Sequence, residues 1–156
     1  MNLKAKYSEI VICTTDTVVG IGGPINEEAL SKIYELKKRP INKKIMILVG
    51  SIEQARTFWQ WNEKADLMAQ KLWPGANSII INDQGFRMPN SPLLCEFLLQ
   101  NGPLYMTSCN LSGEAPLSLE EAKKVFPDVS QFYDFGRPSG KPSTIYNLDT
   151  NKIIKR

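Results

Sequence analysis

Lys37, Lys38 and Arg39 stand side by side, and Pro40 follows them. Two kinds of chemistry suit such a run. At a helix C-terminus the unpaired carbonyls carry about half a unit of negative charge, which cations complement, and a proline stops the helix. An anionic ligand asks for the same groups: arginine offers a planar fork matched to phosphate oxygens, and lysine a mobile point charge. Small polar loops that a phosphate would also need occur at Thr14-Thr15-Asp16-Thr17 and at Thr107-Ser108-Cys109-Asn110-Leu111-Ser112-Gly113. On the second reading Lys37 and Arg39 anchor a nucleotide triphosphate.

The composition narrows what such a site could do. The 156 residues include no histidine, so histidine-based triads and metal sites are excluded. Chemistry must then come from Lys, Arg, carboxylates, hydroxyls or a bound metal ion. Cys13, Cys95 and Cys109 are scattered, with no close-spaced pair. They read as reduced thiols, not as a zinc site or a disulfide framework. Nineteen Lys and Arg against sixteen Asp and Glu give a formal charge of +3, which permits an anionic partner without demanding one. Met1-Asn2-Leu3-Lys4-Ala5-Lys6 lacks the apolar core of a signal peptide, and no apolar run approaches the ~20 residues that span a bilayer. The expectation is a cytoplasmic protein with no membrane contact. Neither G-x-x-x-x-G-K-[ST] nor a strand-anchored G-x-G-x-x-G occurs, so a nucleotide would not be held by a P-loop or a Rossmann loop.

These residues need elements to position them. The β-branched run 10–13 predicts a buried strand feeding the Thr14–17 loop and then a glycine-containing stretch, Val18-Val19-Gly20-Ile21-Gly22-Gly23, read as a binding loop or a hydroxyl-rich turn. Asn26 is an N-cap followed by Glu27 and Glu28, and Leu30, Ile33 and Tyr34 form a helical stripe that closes on the basic cluster. Lys43-Lys44 precede a second strand over 45–49. Ser51-Ile52-Glu53-Gln54 predicts a capping box, and Asn62 caps a helix reaching Leu72 before Pro74-Gly75. Trp59, Trp61 and Trp73 are read as core or helix-packing residues.

A third strand over 77–82 turns at Asp83-Gln84-Gly85 into Phe86-Arg87-Met88-Pro89. Arg87 points away from its large apolar neighbours there, toward solvent or toward a polar cleft. Ser91 and Pro92 open a helix that ends at Asn101-Gly102. Leu104-Tyr105-Met106 leads into the second polar loop. Ser118-Leu119-Glu120-Glu121 is a further capping box. Strands are predicted over 132–135, 144–148 and 152–154, with a long loop at 136–143. Alternating strands and helices give a single α/β (α+β) domain over 1–156, built on a mixed sheet.

In this order, Thr15-Asp16-Thr17-Val18-Val19-Gly20, Lys37-Lys38-Arg39-Pro40, Leu72-Trp73-Pro74-Gly75, Arg87-Met88-Pro89, Thr107 to Gly113 and Ser143-Thr144-Ile145 resemble the motifs of YrdC-like domains, the threonylcarbamoyl-adenylate synthases. The resemblance covers nearly the whole chain. It implies a twisted mixed sheet with flanking helices and a concave basic cleft. It also implies a reaction of L-threonine, bicarbonate or CO2, and ATP with Mg²⁺, serving threonylcarbamoyladenosine formation in tRNA. Lys37, Arg39, Ser108 and Asn110 are then the catalytic, phosphate-holding set, joined by Ser143 and Arg156 for ATP. Thr15, Thr17, Arg87, Thr107 and Ser143 line the threonine pocket, and no protein ligand for a metal stands out. A separate transferase complex downstream is implied.

The sequence departs from the family's pattern in three places. Val19 replaces a tyrosine. Lys44-Ile45 and Leu48 stand where Pro-Leu and a histidine are common. Ala76-Asn77-Ser78 replaces Pro-Leu-Thr. The nucleotide side therefore matches more fully than the threonine side. The alternative function is an RNA-binding module, for tRNA or double-stranded RNA, that uses the same cations and the Arg137–Lys141 loop. Against it stand the lack of a strong basic run and of clustered aromatics that could stack bases.

Overall fold

Strict alternation along the central strands decides which side chains meet which layer. A computed structural model describes residues 2–41 and 44–156; Met1 and Lys43 of the Lys43-Lys44 pair lie outside the described residues. Among the described residues nine strands form one mixed sheet in the order β7-β1-β2-β6-β3-β5-β4-β8-β9. They are β1 (Val11–Cys13), β2 (Gly20–Pro24), β3 (Met46–Leu48), β4 (Asn77–Ile81), β5 (Gln84–Arg87), β6 (Leu104–Ser108), β7 (Gln131–Tyr133), β8 (Thr144–Asn147) and β9 (Lys152–Ile154). The β1–β7, β3–β5 and β4–β8 pairs are parallel, and the remaining pairs antiparallel.

The predicted binding loop at 18–23 is instead mostly strand. β2 pairs with both β1 and β6 in spite of its glycines. The cause is proximity: a Cβ on Gly22 would overlap the Tyr105 carbonyl, and one on Gly20 would press into the Met106 side chain. Low strand propensity is overridden where only glycine lets two strands approach.

Helix ends follow the caps in the sequence. In α2 (Glu27–Lys37) Asn26 accepts from Ala29 N–H. Ser118 opens α6 (Leu119–Val125) with a complete capping box, Asn62 opens α4 (Glu63–Leu72), and Ser91 with Pro92 opens α5 (Pro92–Asn101). At Ser51 the box is incomplete. Gln54 takes the Gly50 N–H instead of the one on Ser51, and α3 (Ile52–Ala55) stops after a single turn. A short α1 (Leu3–Lys6) precedes β1.

Ile12, Ile21 and Ile33 pack with Ala122 and Phe126, which places α2 and α6 over one half of a sheet face. Ile47, Phe86 and Ile79 meet Ala65, Ala69 and Trp73 of the α4 region over the other half. Trp61 stacks on Trp73 at 5.3 Å, whereas Trp59 departs from its core assignment and is 80% exposed between α3 and α4. On the opposite face, Leu94 and Leu98 of α5 cover Val11, Cys13, Leu48 and Met106. The part of that face left uncovered by α5 is where the polar residues gather.

Candidate functional site

Period-two alternation sends Phe86 into the helix-covered core and Arg87 to the other face. There, beside Met46, Leu48, Gly85 and Met106, Arg87 helps to form a cleft of about 510 Å³. Such a volume suits a small-molecule site. Its rim holds Thr15, Thr17, Arg39, Lys44, Thr107, Ser108, Ser143 and Arg156, and no Asp or Glu lines it among the described residues. An adjoining cavity of about 630 Å³ shares Arg39, Lys44 and Ile45 with it, but is lined by α2 side chains that include Glu27 and Glu35. The first cleft is the one that gathers the cations with the hydroxyl loops.

Arg87 is 5% exposed and firmly held. Its Nη1 donates to Asp16 Oδ1 at 2.7 Å and to the Gly75 carbonyl at 3.1 Å, and its Nη2 donates to Thr17 Oγ1 at 3.1 Å. The other Asp16 oxygen accepts Asn90 N–H at 2.9 Å. A guanidinium has five N–H donors. The Nε–H and one Nη2–H of Arg87 thus have no acceptor among the described residues. A carboxylate in the cleft would fit those two.

The Thr15–Thr17 loop is shaped by its own hydroxyls. Thr15 Oγ1 accepts from Thr17 and Val18 N–H at 3.1 and 3.2 Å and donates to the Val18 carbonyl at 2.6 Å. Thr17 keeps its hydroxyl beside Arg87. Thr14 is turned away, accepting Phe135 N–H at 2.6 Å. The 136–143 loop docks on top: Ser139 N–H donates to the Asp16 carbonyl at 3.0 Å and Gly140 N–H to that of Thr17 at 2.7 Å. Gly140 and Pro142 thereby join the cleft wall.

The basic cluster splits. Lys38 takes a left-handed conformation with φ 54°, and Arg39 N–H reaches back to the Tyr34 carbonyl at 3.1 Å, closing α2 before Pro40. Lys37 and Arg39 therefore leave the helix in different directions. Lys37 is 1% exposed. Its ammonium donates to the Ser108 carbonyl at 2.7 Å, to Asn110 Oδ1 at 2.9 Å and to Thr107 Oγ1 at 3.4 Å. Ser108 Oγ also donates to Asn110 Oδ1, at 2.7 Å, and Ser112 N–H to the Lys37 carbonyl, at 3.1 Å.

The sequence-predicted Lys37, Ser108 and Asn110 are therefore in contact, but as a buried clamp; Thr107 and Ser108 line the cleft, whereas Lys37 and Asn110 sit behind it. Arg39 reaches the mouth, donating to the Lys44 carbonyl at 2.9 Å. Burial lowers the Arg39 pKa. Arg156 donates twice to Ser143, and its pKa is lowered first by burial and then by the nearby charge of Arg87. Cations crowded together favour an anion between them.

Sequence reading missed Asp16, the acid between the two threonines, whose signal was a lone carboxylate inside a hydroxyl loop. It also missed Ser78, which contacts Ser143. The departure at Val19 falls in the core, behind the wall formed by Val18, while Ile45 and Leu48 do line the cleft. Burial pushes the Cys13 and Cys109 thiols up to about 12, so neither is a poised nucleophile. Among the described residues no group of three or more His, Cys, Asp or Glu could hold a metal, and no helix is long and apolar enough to cross a membrane.

A mixed sheet with hydroxyl loops and arginines around a cleft that no described Asp or Glu side chain lines defines an α/β domain whose cleft has the charge to suit a small anionic ligand. The chain belongs to the Sua5/YciO/YrdC family, whose model, described as telomere recombination, matches residues 5–156. It is 34% identical to a putative threonylcarbamoyl-AMP synthase of Methanocaldococcus jannaschii, over 94% of this chain and 77% of that one. It is 32% identical to the threonylcarbamoyl-AMP synthase of Saccharophagus degradans, over 94% of this chain and 87% of that one. The crystal structure of P. abyssi Sua5 complexed with L-threonine superposes with a TM-score of 0.82 at 25% identity, covering 95% of this chain and 49% of that one. This chain thus spans about half the length of that Sua5 protein.

Proposed function

We propose that this protein, acting as one YrdC-like domain over 1–156, is a threonylcarbamoyl-AMP synthase that joins L-threonine, CO2 from bicarbonate, and ATP. The observation that carries the reading is a single cleft holding the two unused N–H groups of Arg87 together with Arg39, Arg156 and the Ser108 hydroxyl. The synthase relatives and the threonine complex of P. abyssi Sua5 support it.

Threonine's carboxylate pairs with Arg87, and Thr17 lies alongside. The threonine amine adds to CO2, losing a proton to solvent, and the resulting carbamate oxygen attacks the α-phosphorus of ATP. The O–P bond forms as the bond to the bridging oxygen breaks, and that oxygen leaves with the electron pair as pyrophosphate. Such a transfer needs little covalent help from the protein; positioning and charge neutralisation supply most of the catalysis. Arg39 and Arg156 hold the phosphates, and Ser108 joins them by swinging its one hydroxyl hydrogen from Asn110 Oδ1, which Lys37 continues to serve from behind. Thr15 and Thr107 complete the wall on the threonine side. Mg²⁺ arrives with the triphosphate as part of the substrate, coordinated largely by phosphate oxygens and water. The mixed anhydride product is then consumed by a separate enzyme that transfers the threonylcarbamoyl group to tRNA.

ATP–pyrophosphate exchange tests the reading. Exchange is expected only when threonine and bicarbonate are both present; no exchange under any condition would overturn it. Arg39→Ala removes a charge at the cleft mouth together with the exposed hydrogen bond to the Lys44 carbonyl. It is expected to raise the KM for ATP by about tenfold, one charge-assisted contact, with the melting temperature nearly unchanged. A melting temperature that falls with KM unmoved would assign Arg39 to closing α2 instead.

A further inference from the structure

The Ser143 hydroxyl sits at the cleft between two protein partners. Arg156 donates its Nη2–H to Ser143 Oγ at 2.9 Å and its Nε–H to the Ser143 carbonyl at 2.9 Å. On the other side Ser78 Oγ lies 2.6 Å away. Ser78, on β4, is wholly buried, and its hydroxyl has no second partner among the described residues.

Counting hydrogens decides the direction. A hydroxyl carries one hydrogen and two acceptor positions. Were Ser143 to donate to Ser78, the Ser78 hydrogen would be buried without an acceptor, an arrangement proteins avoid. With Ser78 as donor, that hydrogen is satisfied and both acceptor positions of Ser143 are filled, one by Ser78 and one by Arg156. The Ser143 hydrogen is left over, and Ser143 lines the cleft.

We propose that Ser78 is a positioning residue that, with Arg156, turns Ser143 into a one-way donor toward an anionic oxygen of the bound substrate. Arg156 adds positive charge at the same point, which favours a carboxylate or a phosphate over a neutral carbonyl. This deepens the synthase reading and rests on it. The oxygen belongs either to the amino acid's carboxylate or to the nucleotide's phosphates.

Ser78→Thr and Ser78→Val add nearly the same volume to β4 and differ in the hydroxyl. Calorimetric titration of each with L-threonine, and separately with ATP, reads the role. The threonine variant is expected to bind both ligands much as the parent does. The valine variant is expected to bind one of them about tenfold more weakly, the loss of one well-placed hydrogen bond. The ligand affected identifies the oxygen that Ser143 meets. Equal affinities of the two variants for both ligands overturn the proposal.

If the added methyl prevents folding, Ser78→Ala is measured with and without Ser143→Ala. Ser78→Ala should weaken binding in the parent and change nothing once Ser143 is gone; additive losses overturn the role. A parent protein that binds neither ligand overturns the synthase reading and this proposal with it. Binding by the parent that is indifferent to Ser78 overturns only the positioning role.

Discussion

Arg87→Lys is expected to raise the KM for threonine in the exchange reaction by about a hundredfold while leaving the KM for ATP within a few fold. The guanidinium bridges Asp16, the Gly75 carbonyl and Thr17 and still presents two N–H groups. A lysine ammonium is a point charge with three donors and cannot reach all of these at once. Two charge-assisted hydrogen bonds to a carboxylate, at about 1.5 kcal/mol each, correspond to roughly a hundredfold. Stability should fall as well, since Arg87 is buried and Asp16 nearly so, with side-chain exposures of 6% and 12%. Breaking a buried pair costs on the order of 3–5 kcal/mol when one partner is removed, and less when a lysine retains the charge. Steady-state kinetics against each substrate, beside a thermal melt, separate the two effects. A lysine variant with unchanged KM for threonine would remove Arg87 from the threonine pocket.

Lys37→Met carries the second large effect, and it falls on stability first. Methionine roughly matches the length of the lysine chain but donates nothing. The Ser108 carbonyl and Asn110 Oδ1 would each lose a buried donor now 2.7 and 2.9 Å away. Each acceptor keeps one other donor, Asn110 N–H on the Ser108 carbonyl and Ser108 Oγ on Asn110 Oδ1, so the loss is of two charge-assisted hydrogen bonds at about 1.5 kcal/mol each. A total near 3 kcal/mol would lower the melting temperature of a chain this size by roughly 6–12 °C. Turnover should fall with it, because Ser108 would lose its support, while the KM for ATP changes less than in Arg39→Ala. Asn110→Ala should behave similarly, since Asn110 also donates to the Glu114 carbonyl at 2.5 Å. The phosphate-holding role implied by the family resemblance asks only for lost turnover at Asn110; its place in the buried clamp adds a loss of stability. A methionine variant that melts like the parent but binds ATP poorly would return Lys37 to direct phosphate contact.

The contrast between Lys37 and Arg39 shows where sequence reading stops. Two cations two residues apart invited one shared role. A left-handed turn at Lys38, in a position where glycine is usual, sends one into the protein and the other to the cleft mouth. Arg87 was nearly the reverse case. Strand alternation predicted that it would point away from Phe86 and Met88, and only the position of α5 decided that it meets a polar cleft and not solvent. β2 was hidden because its glycines lower strand propensity, and their use becomes visible only against Tyr105 and Met106 across the pairing.

Local chemistry was legible in the chain wherever a few neighbouring residues settle it. The caps at Asn26, Asn62, Ser91 and Ser118, the β-branched strands and the order of the polar motifs all belong to that group. Tertiary structure alone brought Asp16 to Arg87, Ser78 to Ser143 and Lys37 to Asn110, across separations of 71, 65 and 73 residues. The reason is physical: caps and alternation are set by the backbone within a turn or a strand. The partner of a buried charge or hydroxyl is set instead by whichever distant acceptor the sheet order carries within hydrogen-bond reach, since leaving that group unpaired would cost more than any local preference supplies.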